Sequence, residues 1–355
     1  MKIYTCSHCR NPLYFENNIC LHCQHAVGFE SLSLSMVTLA PDKNNTGCFT
    51  DISTSKKAYR YCRNAGYGTC NWLVPVADPS PFCTACSLNR VIPDLGAGEN
   101  NKKWRNLEVA KHRLIYSLLR LKLPLSTKAE ALVFDFMEET APGEKVITGH
   151  DSGTITINIE EADEVQRVRH KLDLGERYRT LLGHFRHEVG HYYWDVLIRD
   201  GEYLDPFRRL FGDEQRDYPE ALQAYYNTGA PADWGQHFIS PYATAHPWED
   251  WAETWAHYLH LMDTMETAWA FGVKVNPGGE KSDPPIRVSM DDDPYAVKDF
   301  SRIIKLWYPL CFAVNSLNRS MGYPDFYPFV ISEPVVEKLR FIHDLLLGNR
   351  LRSKV

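Results

Sequence analysis

The sequence has little that would tie it to a membrane, a secretory route or a nucleic acid. No uninterrupted apolar run in its 355 residues approaches the roughly 20 needed to cross a bilayer. The opening "MKIYTCSHCR" lacks the apolar stretch of a secretion signal. Both absences point to a cytoplasmic protein without a membrane partner. The net charge is −6, so there is no overall attraction to phosphate backbones and nucleic acid is not an expected partner. Cysteine is almost missing from the C-terminal three-quarters. Nine of the ten lie before residue 90, and Cys311 stands alone in an apolar context that suits a core residue. The chain is therefore compositionally divided. Its 44% hydrophobic and 24% charged residues, with nine Trp and 19 Tyr, are those of a folded protein large enough for more than one domain.

The N-terminal cysteines come in pairs. In "YTCSHCRNPLYFENNICLHCQ", Cys6 and Cys9 form one C-x-x-C, and Cys20 and Cys23 form another. Each pair suits a tight turn that aims two thiolates at one ion, and two such turns complete an all-sulfur zinc site. Disulfides are the competing use, disfavoured in a cytosolic chain. His8, His22 and His25 lie close enough to serve as substitute ligands. A second cluster contains Cys62, Cys70, Cys83 and Cys86; only its latter half has the tight spacing, and Cys48 competes with Cys62 for the fourth place. Short strands and turns without helical periodicity suggest ribbon modules that zinc folds because their cores are small. Residues 1–103 carry ten Lys/Arg and seven Asp/Glu. Two zinc-tetrathiolate groups, about −2 each, bring this region near neutrality, which argues against a phosphate-binding surface.

"SLNRVIPDLGAGENNKKW" reads as a linker, and the pattern changes after it. "WRNLEVAKHRLIYSLLRLKLP" predicts a helix with Leu107, Ala110, Leu114, Leu118 and Leu121 on one side, ending by Pro124. "GTITINI", residues 153–159, predicts a strand and offers an edge to which an extended peptide could add. Helical composition returns from Glu161 to Ile198.

That last segment contains "HFRHEVGHYYWD". On a helix His187 and His191 project from one face a turn apart, the bite needed to hold one zinc ion, with Glu188 beside them to take a proton from water. Chance would place H-E-x-x-H in about 3% of chains of this composition, so context matters; here the motif sits in a helical stretch with apolar neighbours. Asp195, one turn after His191, reads as a surface acid. A third ligand should come from "SPYATAHPWEDWAETWAHYLHLMD", residues 240–263. As a helix from Pro247 it puts Trp248, Trp251, Trp255, Leu259 and Met262 on one side. Glu249, Glu253, His257 and His260 form a stripe on another. A stripe without Lys or Arg suggests that it faces a cation. Glu249 is the first choice as ligand and Glu253 as the acceptor that orients a ligand histidine. His246 and His257 are rivals that spacing does not exclude.

"HEVGH" followed by "EDWAE", with Tyr242 seven residues before Glu249, resembles the gluzincin type of zincin metallopeptidase. That likeness implies Glu249 as third zinc ligand and Tyr242 as a stabiliser of the oxyanion. Over nearly its full length the chain resembles a bacterial family of zinc-binding metallopeptidases with an N-terminal zinc ribbon, on "CNWLVP", "LNRVIPDL", "YRTLLGHFRHEVGHYYWD", "HPWEDWAETWAHYLH" and "LNRSMGYPDFYPFV". The 57 residues between His191 and Glu249 depart from the zincin pattern and leave room for an insertion that shapes or covers the cleft.

The expected fold is α+β: a zinc-ribbon region over residues 1–95, in modules of about 1–30 and 45–95, then a largely helical zincin-like domain with a small sheet over 104–355. The expected function is zinc-dependent hydrolysis of peptide bonds, with one catalytic and two structural zinc ions, a peptide or protein substrate, and a protein partner for the ribbons. The alternatives are a ribbon adaptor on a non-catalytic scaffold, binding protein or nucleic acid, and a hydrolase of non-peptide amides.

Overall fold

The computed structural model describes residues 2–54, 57–139, 145–163, 180–278 and 286–352. The chain divides into two compact units, Met1–Leu174 and Gly175–Val355. The architecture is α+β. Among the described residues no helix is long and apolar enough to cross a membrane. The helical composition read for residues 164–179 lies outside the described residues.

The first unit begins with a hairpin, β1 (Tyr4–Thr5) against β2 (Pro12–Leu13), whose turn carries Cys6 and Cys9. It continues as a five-stranded antiparallel sheet of β3 (Ala26–Glu30), β4 (Ser35–Pro41), β5 (Phe49–Asp51), β6 (Ala58–Tyr61) and β7 (Leu73–Pro75). Both four-cysteine groups border this one sheet, and a bridge from Phe29 to Trp72 draws its two ends together. Phe29, Trp72 and Phe15 meet Tyr116 of helix α1 in an aromatic cluster, with Phe29 and Trp72 centroids 4.6 Å apart and Phe15 5.5 Å from Tyr116. Four rings joined through Phe15 and Phe29, each of which touches the other three, supply the core that short ribbons cannot make alone.

Helix α1 spans Asn100–Leu121. The five residues predicted for its apolar side are all buried, and Lys122 ends it in the left-handed region at φ 58°. Within the segment read as a linker, Asn89–Val91 forms strand β8. It pairs in parallel with β9 (Val133–Met137), which is followed by β10 (Gly149–Asp151) and β11 (Thr154–Asn158). The Gly-rich run predicted a loop because three residues are too few to register a strand pattern. The strand expected from "GTITINI" is present, but not as an edge. The sheet order is β10-β11-β9-β8, so β11 is paired on both sides and its backbone is unavailable for peptide addition. Alternation of residue types reports a strand and carries no information on its neighbours.

The second unit is built of helices α2 (Leu181–Leu197), α3 (Leu204–Phe211), α4 (Tyr218–Thr228), α5 (Pro247–Ala270), α6 (Phe300–Ser320) and α7 (Glu333–Arg352), with a short ribbon of β12 (Lys274–Val275) and β13 (Val288–Ser289). Central α5 buries Trp251, Trp255, Leu259 and Met262 as its periodicity predicts, while Trp248 is half-buried. Helix α2 packs along α5 at Gly190: a Cβ there would lie 3.0 Å from Ala252 Cα and 3.3 Å from Trp255 Cβ. The carbonyl of Gly190 accepts the Trp251 indole N–H at 2.8 Å. Cys311, read as a core residue, is only half-buried on α6.

Candidate functional site

Helix α2 starts because Thr180 caps it, accepting the Gly183 N–H at 3.0 Å. Its second and third turns then carry His187 and His191 on one face, their rings 5.0 Å apart. Helix α5 starts at Pro247 behind the cap of His246, whose ring accepts the Trp248 N–H. Its first turn carries Glu249, which is 1% exposed. One donor atom each from His187, His191 and Glu249 lies within 4.8 Å of the others. Glu188, 5% exposed, sits beside them, with His184 Nε2 3.7 Å from its carboxylate.

The polarity of this cluster is set by its outer contacts. His187 Nδ1 donates to Glu253 Oε1 at 2.7 Å, and Glu253 Oε2 accepts the Ser240 hydroxyl at 2.6 Å. That fixes the imidazole so that Nε2 faces Glu249. Nε2 and Glu249 Oε2 are 3.0 Å apart, and Oε2 is buried without a hydrogen-bond donor. In the neutral ring both atoms are acceptors, so the pair calls for a positive species between them. A divalent cation fits this donor set of two imidazoles and a carboxylate. The charges agree in sign. Burial would lower the His187 pKa, yet Glu249 and Glu253 hold it well above its usual value. Burial would raise Glu249, yet His191 and His187 hold it well below the carboxylate range.

Tyr242 lies on the turn before α5, its ring 6.0 Å from that of His187. Burial, then the charge of Glu249, pushes its phenol up, keeping it a donor at neutral pH. The rival histidines are engaged elsewhere. His246 Nε2 donates to the Arg216 carbonyl while Nδ1 caps α5. His257 Nδ1 is 2.8 Å from the Tyr327 hydroxyl, and His260 Nδ1 is 2.6 Å from an Arg186 guanidinium nitrogen. At His260 the stripe on α5 meets a cation of the protein's own, Arg186, a fully buried side chain that also pairs with Asp263 at 2.7 Å. Asp195 pairs with Arg199 at 3.0 Å.

Two residues of the cluster escaped the sequence reading. Tyr218 donates to Glu249 Oε1 at 2.5 Å, and Ser240 supports Glu253. Tyr218 opens α4, whose cap Asp217 accepts the Glu220 N–H at 2.8 Å. The sequence signal was the helix start "RDYPEAL" inside the 57-residue gap, which announces a helix but not where its first residue points.

Two sulfur groups lie in the first unit. Cys6, Cys9, Cys20 and Cys23 converge, with Sγ separations of 3.6 Å for Cys6–Cys23 and 3.6 Å for Cys9–Cys20. Zn–S bonds of about 2.3 Å in a tetrahedron place sulfurs roughly 3.8 Å apart. Cys62, Cys70, Cys83 and Cys86 converge likewise, Cys70–Cys83 at 3.7 Å. Cys48 stays in the turn between β4 and β5, its N–H on the Asn45 carbonyl. Backbone N–H groups of Trp72, Cys83 and Cys86 point at the sulfurs of Cys70, Cys62 and Cys83. Burial would raise the Cys6 thiol, but N–H groups of Cys9 and His8 and the Thr38 hydroxyl lower it to about 6. His8 and His25 stack with centroids 4.2 Å apart beside Cys23.

A family model described as "Putative zinc-binding metallo-peptidase" matches residues 100–345, and a zinc-ribbon domain model matches residues 3–97. One uncharacterised protein of Mycobacterium bovis and two from strains of Mycobacterium tuberculosis are each 38% identical over 351 residues, covering 98% of this chain and 95% of each relative. No solved structure matches the chain.

Proposed function

Because the chain belongs to the family described as "Putative zinc-binding metallo-peptidase", we propose that it hydrolyses peptide bonds at the cluster of His187, His191 and Glu249. The observation that carries this reading is the buried Oε2 of Glu249 facing His187 Nε2 at 3.0 Å, next to the buried carboxylate of Glu188. His187, His191 and Glu249 would hold the metal. Zinc so bound would supply Lewis acidity and lower the pKa of water toward about 7.

The chain's own groups would do the rest. Glu188 takes the proton as a water oxygen attacks the scissile carbonyl carbon, then gives it to the amine nitrogen as the C–N bond breaks. The Tyr242 hydroxyl, kept protonated by its burial, donates to the oxyanion. Glu253, held by Ser240, keeps His187 aimed. The two four-cysteine groups would bind structural zinc, so residues 1–95 would fold around metal and residues 104–355 would carry the chemistry, on a peptide or protein substrate.

The test is cleavage profiling of a peptide library with the zinc-loaded protein and its Glu188→Gln variant. Cleavage should fall at least 1,000-fold in the variant, whose metal content should be unchanged. A library left intact by the wild type, with a zinc ion at the histidines, would turn the reading toward non-peptide amides.

A further inference from the structure

We propose that Tyr218 is a positioning residue that commits Glu249 to meet its metal through one oxygen only. This rests on the metal site proposed above. The two oxygens of Glu249 are not equivalent. Oε1 accepts the Tyr218 hydroxyl at 2.5 Å and lies 3.7 Å from His191 Nε2. Oε2 is buried, has no donor and lies 3.0 Å from His187 Nε2. One oxygen carries the Tyr218 hydrogen bond and the other faces His187.

Tyr218 is held where it is. Its ring packs edge-on against His246 at 5.1 Å and against Trp248 at 6.0 Å, and both belong to the start of α5 next to Glu249. Its backbone is the first residue of a capped helix.

The number of coordination positions gives this contact its consequence. A carboxylate that offers both oxygens fills two positions around a metal. A catalytic site needs one position open for water or substrate. Charge-assisted O–H···O⁻ bonds near 2.5 Å are among the stronger hydrogen bonds, so Oε1 is costly to withdraw from Tyr218. The insertion between His191 and Glu249, expected to shape or cover the cleft, thus limits how the third ligand binds.

The experiment uses the full chain with its cysteine groups zinc-loaded, the exchangeable site emptied by mild chelation and refilled with one equivalent of Co²⁺. Tyr218→Phe keeps the ring and removes the donor. It should weaken Co²⁺ and Zn²⁺ binding 10- to 100-fold and lower the intensity of the visible cobalt bands as the coordination number rises. An unchanged spectrum in Tyr218→Phe overturns the proposal, whatever the affinity, because weaker binding alone would mark a packing role. If the wild type takes up no Co²⁺ after chelation, the metal site itself fails and the proposal with it. If the wild type binds and only the Tyr218→Phe expectation fails, the site stands. Unchanged zinc in the cysteine groups reports that the variant is folded.

Discussion

The four-cysteine groups and the His–Glu cluster hold their donors by opposite means. Each cysteine group is made by short turns, its sulfurs are stabilised by backbone N–H groups, and the first needs only residues 6–23. The His–Glu cluster takes donors from two helices and their orientation from side chains of Glu253, Ser240 and Tyr218, which arrive from three different elements. Backbone-built sites depend on local sequence. Side-chain-built sites depend on tertiary packing.

The largest effect should come from breaking the closed kind. Cys70→Ser should remove one zinc of three and unfold the ribbon region, because binding of a structural zinc is worth about 10–16 kcal/mol of folding free energy. Elemental analysis with circular dichroism would read this, and mild chelation of the wild type should remove only one ion. A chelator that strips all three at one rate would erase the contrast between closed and open sites.

Next, Glu249→Ala should weaken the exchangeable zinc by orders of magnitude while two ions remain. If His246→Ala or His257→Ala loses that ion instead, the third donor is a histidine. Removing the supporting contacts should cost less: Glu253→Ala about 10- to 100-fold in affinity, and Tyr242→Phe on the order of 100-fold in turnover with metal retained. Gly190→Ala tests the packing on which the cluster rests. The added methyl meets Ala252 Cα at 3.0 Å, and overpacking of this kind costs about 1–3 kcal/mol, against roughly 1 kcal/mol gained in helix propensity. Its melting temperature should fall and its exchangeable zinc weaken, with the cysteine groups untouched. Cys48→Ser, the smallest change, should leave all three ions in place.

Legibility followed the same divide. Cys6, Cys9, Cys20 and Cys23 could be grouped from spacing because local turns create that site. His187 and His191 could be paired because a helix fixes their bite. Proximity to Cys70 favours Cys62 over Cys48 as the fourth member of the second cysteine group, and the structure brings Cys62 into it, since β6 ends beside the Cys83 turn. Tyr218 was invisible because it reaches Glu249 across 31 positions, its ring set against His246 and Trp248 at the start of α5. β8 was lost in a Gly-rich run, and the pairing of β11 on both sides follows from topology that no single strand records.

The separation of His187 from Glu249 along the chain, 62 positions, also sets a clock. A ribosome adding about 5–20 residues per second releases the cysteines of the first group almost together, but leaves the histidines of α2 waiting roughly 3–12 s for α5. During that interval two imidazoles are presented without their carboxylate. Nitrogen and oxygen donors rank copper and nickel at least as high as zinc. A metal that meets the nascent chain in that interval would find only the histidine half of the donor set.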